Sequence, residues 1–116
     1  MSDTPTVFLI DDDRAVRDAV GLLLQASGLA VETFASAAEF LDAGVVHRPG
    51  CLVLDVRMPG LSGLDLQKEL RAKGHRTPII FMTGHGDVPM AIRAMKAGAF
   101  DFIEKPFQGQ TLLARI

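Results

Sequence analysis

The sequence predicts an α/β domain in which a parallel β-sheet carries helices on both faces. Short apolar segments rich in β-forming residues recur along the chain, and segments with helical spacing lie between them. The first, third and fourth apolar segments are almost continuously hydrophobic, as the buried central strands of a parallel sheet are. Strands that alternate with helices form βαβ units, whose right-handed crossovers place helices on both sides of the sheet.

Five strands are predicted, and the last of them carries the weakest signal. They lie at Val7–Ile10, Val31–Phe34, Cys51–Leu54, Ile79–Met82 and Phe102–Ile103. The first helix follows from apolar residues at i, i+4, i+7 and i+8 (Val16, Val20, Leu23, Leu24), and Ser27-Gly28 ends it. Ser36 and Glu39 have the spacing of a capping box before a second helix that carries Phe40 and Leu41.

The remaining helices are predicted from the same kinds of signal. The third contains Leu64, Leu66, Leu70 and Ala72, and Lys73-Gly74 closes it. Asp87 can cap the fourth, which has Ile92 and Met95 on one face and Gly98 near its end. The fifth begins near Gln110, and because the sequence stops at Ile116 we expect that helix to be truncated and the chain to be a piece of a longer protein.

Composition narrows the class of protein. A chain of 116 residues with 48% hydrophobic and 22% charged residues fits one globular domain with a real core. The net charge of −2 gives no basic face for wrapping nucleic acid. No apolar run approaches the roughly 20 residues of a membrane span, so a soluble cytoplasmic protein is expected. The single Cys51 lies in an apolar run and is predicted to be a small buried hydrophobic residue in a reducing compartment.

Polar residues follow four of the predicted strands. Asp11, Asp12 and Asp13 follow the first, Asp55 ends the third, Thr83-Gly84 follows the fourth, and Glu104-Lys105-Pro106 follows the fifth. In an open parallel sheet, ligands bind beyond the carboxyl ends of the strands. Taken singly, these residues have ordinary explanations: Asp13 as a helix N-cap, Asp11 or Asp12 in a solvated loop, Thr83-Gly84 as a turn and Lys105 at the surface. Their joint placement at one edge favours a site.

The chemistry of such a site is coherent. Crowded carboxylates are relieved by protonation, by a cationic side chain or by a metal, and all-oxygen ligands favour Mg²⁺. An aspartate can act as a nucleophile and form an aspartyl phosphate, while Mg²⁺ and a lysine stabilise the charge of the transferred group. The residues therefore support a site in which acids hold Mg²⁺, Asp55 attacks phosphorus, and Lys105 and Thr83 receive the product.

The ordered motifs resemble one known family. They are IDDD at 10–13, LDVRMPGLSG at 54–63, FMTGHGD at 81–87 and DFIEKPF at 101–107. Together they resemble the receiver domain of bacterial two-component response regulators, the CheY-like family, and the stretch from Thr83 to Phe107 is especially similar to the FixJ-type branch. The resemblance covers essentially the whole chain, residues 1–116, and implies a (βα)5 doubly wound, flavodoxin-like sheet with strand order 2-1-3-4-5.

The resemblance also implies a role for each site residue. Asp55 matches the phosphoacceptor, while Asp11 and Asp12 match the acidic pair that holds Mg²⁺, or Mn²⁺ in its place, Asp12 directly and Asp11 largely through water. The backbone carbonyl of Arg57 would be a further metal ligand. Thr83 matches the switch hydroxyl and Lys105 the lysine that binds the phosphoryl group.

Three further positions bear on the switch and on the lifetime of the phosphoryl group. Phe102 stands where many relatives of the family carry Tyr, so a switch at this position must depend on ring packing rather than on a hydroxyl hydrogen bond. Arg57 and His85 lie two residues beyond the acceptor and the switch threonine, at positions that tune dephosphorylation in the family.

The function implied is signalling rather than enzymatic turnover, apart from self-phosphorylation and autodephosphorylation. A sensor histidine kinase would phosphorylate Asp55, and the change would reach the face formed by the fourth helix and fifth strand, promoting a homodimer. In FixJ-type relatives a DNA-binding helix-turn-helix domain follows the receiver. We expect that domain to lie outside this chain, so the receiver itself would contact neither DNA nor a membrane.

The residues also allow three other interpretations. A haloacid-dehalogenase-like phosphatase also uses a nucleophilic aspartate, but it would have a D-x-D motif with a following Thr and a cap insertion. A flavodoxin-like cofactor-binding module would have a phosphate-cradling loop after the first strand, where three aspartates instead repel phosphate. An unphosphorylated interaction module of the same fold would have no use for the complete set of acids, threonine and lysine.

Overall fold

The computed structural model describes residues 5–56, 58, 60–84, 87–104 and 109–116. Its single sheet has five parallel strands in the order β2-β1-β3-β4-β5, which confirms the expected topology. The strands are β1 (Thr6–Ile10), β2 (Ala30–Phe34), β3 (Gly50–Asp55), β4 (Ile79–Thr83) and β5 (Asp101–Glu104).

A helix follows each strand, at the places that the sequence predicts. These helices are α1 (Arg14–Ala26), α2 (Ala37–Ala43), α3 (Gly63–Ala72), α4 (Val88–Lys96) and α5 (Gly109–Arg115). No helix in the described part of the chain is long and apolar enough to cross a membrane.

The sheet separates two hydrophobic cores, because successive side chains of a strand point to opposite faces. One core packs Phe8, Leu52 and Phe81 against α2, α3 and α4, and includes edge-on contacts of Phe40 with Phe8 and Phe34. The other packs the alternate strand residues against α1 and α5. Both faces of β1, β3 and β4 are therefore covered, which explains their continuous apolar runs.

The helix starts agree with the sequence in part. Asp13 is the N-cap of α1, and its Oδ1 accepts a hydrogen bond from the Ala15 amide at 2.9 Å. Ser36 caps α2 through the Glu39 amide, whereas the complete capping box lies at Ser62 and Asp65 on α3. The hydrogen bonds from Ser62 lower the pKa of the Asp65 carboxyl.

The buried face of α4 differs from the one that the sequence indicates. Ala91 and Ala94 are fully buried, Met95 packs at the margin of the core, and Ile92 is 46% exposed. Small residues at the contact let a helix approach its neighbours closely, so the alanines face inward and the larger Ile92 lies outside. Asp87 precedes α4 as expected, but its side chain makes no capping hydrogen bond to the helix.

Cys51 lies at the amino-terminal edge of the sheet, remote from the strand ends that carry the acids. It is half-buried against the α1/α5 core, and this burial raises the pKa of its thiol. The thiol is therefore kept protonated, in keeping with a packing role.

Candidate functional site

Parallel pairing brings the acidic ends of β1 and β3 to the same level. Ile10 pairs with Leu54, so the next residues, Asp11 and Asp55, leave the sheet side by side. On the next strand, Met82 pairs with Asp55 and is followed by Thr83, which pairs with Glu104 of β5. The four strands thus deliver their polar ends to one edge, as the sequence predicts.

Asp11 is held rigidly at this edge. It is completely buried, and its Oδ1 accepts a hydrogen bond from the Asp13 amide at 2.9 Å. Its backbone amide donates to the Phe34 carbonyl at 3.1 Å. Its carbonyl accepts a hydrogen bond of 2.7 Å from Nη1 of Arg17, one turn into α1. The carboxylate of Asp11 therefore occupies a fixed position, and Arg17 is a supporting residue that the sequence did not suggest.

Asp55 is half-buried, and its backbone lies directly under the first turn of α3. The Gly63 amide donates to the carbonyl of Val56 at 3.2 Å. A β-carbon built on Gly63 would overlap the carbonyl oxygen of Asp55 and lie 2.9 Å from Cε1 of Phe81. Only glycine allows this approach, so Gly63 fixes the distance between α3 and the Asp55 backbone.

The carboxylates of Asp11, Asp12 and Asp55 form one cluster, with an oxygen from each lying within 4.8 Å of the others. Asp11 is buried, Asp12 exposed and Asp55 intermediate, so the cluster opens to solvent on one side. At an effective dielectric of 20, two unit charges at this distance repel by roughly 3.5 kcal/mol. Three such groups in one place favour a divalent cation.

The donor set fits Mg²⁺ in particular. Mg–O bonds of about 2.1 Å place oxygens on one octahedral ion about 3 to 4.2 Å apart. The observed limit of 4.8 Å is close to this span. Carboxylate oxygens with one side open to water are the environment that Mg²⁺ prefers, since it gives up its waters reluctantly.

Thr83 and Phe102 lie on neighbouring strands beside the cluster. Thr83 is fully buried, and its hydroxyl donates to the Gly84 carbonyl over a long 3.4 Å. Phe102, half-buried against the α2/α3/α4 core, pairs with Phe81, two residue pairs before the Thr83–Glu104 pair in the β4–β5 register. The predicted site residues Lys105, Arg57 and His85 lie outside the described residues.

Comparison with known proteins agrees with this geometry. The family model described as the response regulator receiver domain matches residues 7–116. The transcriptional regulatory protein FixJ of Azorhizobium caulinodans is 56% identical over 116 residues, which cover 100% of this chain and 55% of FixJ. The response regulator protein TodT of Pseudomonas putida is 51% identical over 117 residues, 100% of this chain and 52% of TodT.

Solved structures agree as well. The crystal structure of FixJ-N superposes with a TM-score of 0.90 at 45% identity, covering 99% of this chain and 91% of that one. The chain spans about half the length of the curated relatives it matches. Its five parallel strands, its acidic strand ends and its family match over residues 7–116 lead to one conclusion. The chain belongs to the receiver domain family of two-component response regulators.

Proposed function

We propose that Asp55 is the phosphoacceptor of this receiver domain and that its phosphorylation requires Mg²⁺. The observation that carries the proposal is the convergence of Asp11, Asp12 and Asp55 within 4.8 Å at the carboxyl edge of the sheet. Asp11 and Asp12 would hold the cation with Asp55 and the Arg57 carbonyl, and Mn²⁺ could replace Mg²⁺. The donor is the phosphohistidine of a sensor histidine kinase.

In this reaction an oxygen of the Asp55 carboxylate forms a bond to phosphorus while the phosphorus–nitrogen bond of the donor breaks, and the imidazole leaves. A bound Mg²⁺ supplies positive charge to the phosphoryl oxygens. Buried Asp11 keeps its carboxylate in place through the Asp13 amide. Lys105 and the Thr83 hydroxyl bind the transferred oxygens. Arg57 and His85 control access of water to the product, and so its lifetime.

The output would follow from the new charge. A phosphoryl group carries about −1.5 to −2 charges at neutral pH and strong hydrogen-bond acceptors. The Thr83 hydroxyl makes only a 3.4 Å hydrogen bond to Gly84, so a phosphoryl oxygen is a better acceptor for it. Its movement would leave room for the Phe102 ring. The population would then shift toward a conformation with a different α4–β5 face, which is the exposed surface of α4 and β5.

The α4–β5 face has the features of a homodimer contact. Ile92 is exposed on α4. Arg93 and Lys96 are exposed on the same helix and Glu104 is exposed on β5, so both signs of charge are present. In a two-fold contact, the basic residues of one copy can pair with the acidic residue of the other. The relatives named as transcriptional regulators suggest that this cytoplasmic dimer controls a DNA-binding domain outside the chain.

Acetyl phosphate tests the proposal directly, because it can replace the kinase as donor. With Mg²⁺ present, we expect the wild-type chain to take up one phosphoryl group, measured by intact mass, and peptide mapping should locate it at Asp55. Chelation of the metal should prevent the uptake. An unchanged mass with Mg²⁺ would refute the proposal, and steady release of phosphate from many small esters would instead favour a phosphatase.

Loss of one carboxylate from the cluster should weaken metal binding. We expect Asp12→Asn to bind Mg²⁺ at least about tenfold more weakly than wild type, which corresponds to about 1.4 kcal/mol. Because the chain has no Trp or Tyr, binding is best followed by NMR or calorimetry. Asp13→Asn is the matched control: it removes the same charge one residue away, and Asn preserves the helix cap. Equal Mg²⁺ affinities of the two variants would contradict the assignment.

A further inference from the structure

Gln67 is a buried polar residue on α3 that the proposed site does not use. Its side chain is 1% exposed, and its Nε2 donates to the Ala94 carbonyl of α4 at 3.0 Å. The other amide atom, Oε1, is buried and has no hydrogen-bond partner among the residues that the structure describes. A buried amide with one unpaired atom is costly, and an apolar side chain of the same shape would leave no group unsatisfied, because the Ala94 carbonyl also accepts from two backbone amides. The bond therefore contributes position rather than stability.

The carbonyl that accepts this bond belongs to the end of α4. The Ala94 oxygen also accepts hydrogen bonds from the Ala97 amide at 3.2 Å and the Ala99 amide at 3.1 Å. The latter, with the Gly98 amide bonded to Met95 and a φ of +105° at Gly98, makes a Schellman ending. Three donors thus meet on one oxygen, immediately before the chain turns into β5.

Two other helices show that this ending needs no side chain. The Leu29 amide bonds to the Leu24 carbonyl at the end of α1, and the His75 amide bonds to the Leu70 carbonyl at the end of α3. Both are Schellman endings with glycine in the left-handed region, and within the described ranges no side chain donates to either carbonyl. The Gln67 bond is thus an addition specific to α4. Its effect is to join the α4–β5 connection to α3.

The other end of α3, its first turn, contacts the Asp55 site. Gly63, whose position leaves no room for a β-carbon against the Asp55 carbonyl, lies four residues before Gln67. Residues at i and i+4 share one face of a helix. A single turn of α3 therefore contacts the Asp55 backbone at one end and the Ala94 carbonyl at the other.

We propose that Gln67 is a positioning residue that couples Asp55 to the α4–β5 face through α3. The inference rests on the proposed function, since it concerns how phosphorylation of that same site is transmitted. When the Asp55 backbone adjusts to a phosphoryl group, the first turn of α3 moves with it, and the Gln67–Ala94 bond carries the movement to the start of β5. This route runs beside the one through Thr83 and Phe102.

Gln67→Met tests the inference, because it keeps the length of the side chain and removes both polar atoms. In the unphosphorylated protein we expect the Ala97 and Ala99 amides to exchange with solvent about fivefold faster, as the loss of one hydrogen bond gives, at an unchanged or higher Tm. Phosphorylation from acetyl phosphate should match wild type. The increase in dimer association caused by phosphorylation, measured by analytical ultracentrifugation, should be reduced about fivefold.

Two controls accompany it. Gln25→Met changes an exposed glutamine of α1, and Val20→Ala weakens the other core; neither should alter the phosphorylation-dependent dimer. Gln67→Leu repeats the test should Gln67→Met fold poorly.

If wild type dimerises on phosphorylation and the Gln67 variants respond equally or more strongly, the coupling role is overturned while the proposed function stands. If wild type takes up no phosphoryl group, the proposed function fails and the coupling role fails with it.

Discussion

Replacement of Asp55 by Asn should abolish phosphorylation of the chain by acetyl phosphate. The amide of Asn is not a nucleophile towards phosphorus, whereas a carboxylate is. The neighbouring Asp11 is fully buried and its Oδ1 is engaged by the Asp13 amide, so it is badly placed to act as substitute. We therefore expect no phosphoryl uptake within the time in which wild type is fully modified, as measured by intact mass.

The fold of this variant should be intact, which makes the result interpretable. Asn has nearly the same size as Asp, and its introduction removes one charge from three carboxylates that lie within 4.8 Å. Without metal, the Tm of Asp55→Asn should equal or exceed that of wild type. Asp13→Asn, which neutralises an exposed carboxylate outside the cluster, should be phosphorylated normally. Stoichiometric uptake by Asp55→Asn would show that another residue is the acceptor.

The carboxylate cluster could be predicted from the sequence because it depends on topology alone. Continuous apolar runs identify buried parallel strands, and the residues that follow such strands must meet at one edge. The positions of Asp11, Asp12 and Asp55 required no knowledge of packing. The N-cap at Asp13 was equally local, since it depends only on a carboxylate two residues before a helical amide.

The features that the sequence does not predict concern packing between elements. Residues Ala91, Ala94, Ile92 and Met95 all fit a helical period, and hydrophobicity favours the larger pair, yet the alanines are buried. The choice is made by how closely α4 approaches its neighbours. Gln67 gives no signal in the sequence for the same reason: a glutamine between Leu66 and Lys68 looks like an ordinary surface residue, and only the fold places the Ala94 carbonyl beside it.

For Phe102, the sequence and the structure each supply part of the explanation. The sequence indicates that the residue at this position has no hydroxyl, and the structure places its ring, half-buried, against the core that contains α4. Its backbone amide is bonded to the Asp101 carboxylate at 2.8 Å, which fixes the backbone but leaves the ring to packing. A switch at Phe102 must therefore work through volume, which makes it sensitive to how firmly α4 is held.

Gly63→Ala should damage both the stability and the phosphorylation of the chain. A β-carbon at this position would overlap the Asp55 carbonyl oxygen and press on the Phe81 ring. Overpacking of this kind costs about 1–3 kcal/mol, and because backbone is involved we expect the upper part of that range. For a domain of this size, the Tm should fall by on the order of 10 °C.

Gly21→Ala is the matched control for this effect. Gly21 is also a buried helical glycine, but a β-carbon there would lie 3.7 Å from Cγ2 of Thr33, an ordinary contact. Alanine in a helix interior is favoured over glycine by roughly 0.5–1 kcal/mol, so this variant should be at least as stable as wild type. A Gly63→Ala protein as stable as Gly21→Ala would mean that α3 can move away from β3 freely.

The phosphorylation of Gly63→Ala distinguishes a general loss of stability from a local one. Relief of the overlap requires either α3 to move outward or the Asp55 carbonyl to rotate, and the second displaces the Asp55 carboxylate from Asp11 and Asp12. We therefore expect slower phosphoryl uptake and weaker Mg²⁺ binding at temperatures where the variant is fully folded. If only the Tm fell, α3 would have absorbed the methyl group alone, and its first turn would not control the geometry of the acceptor.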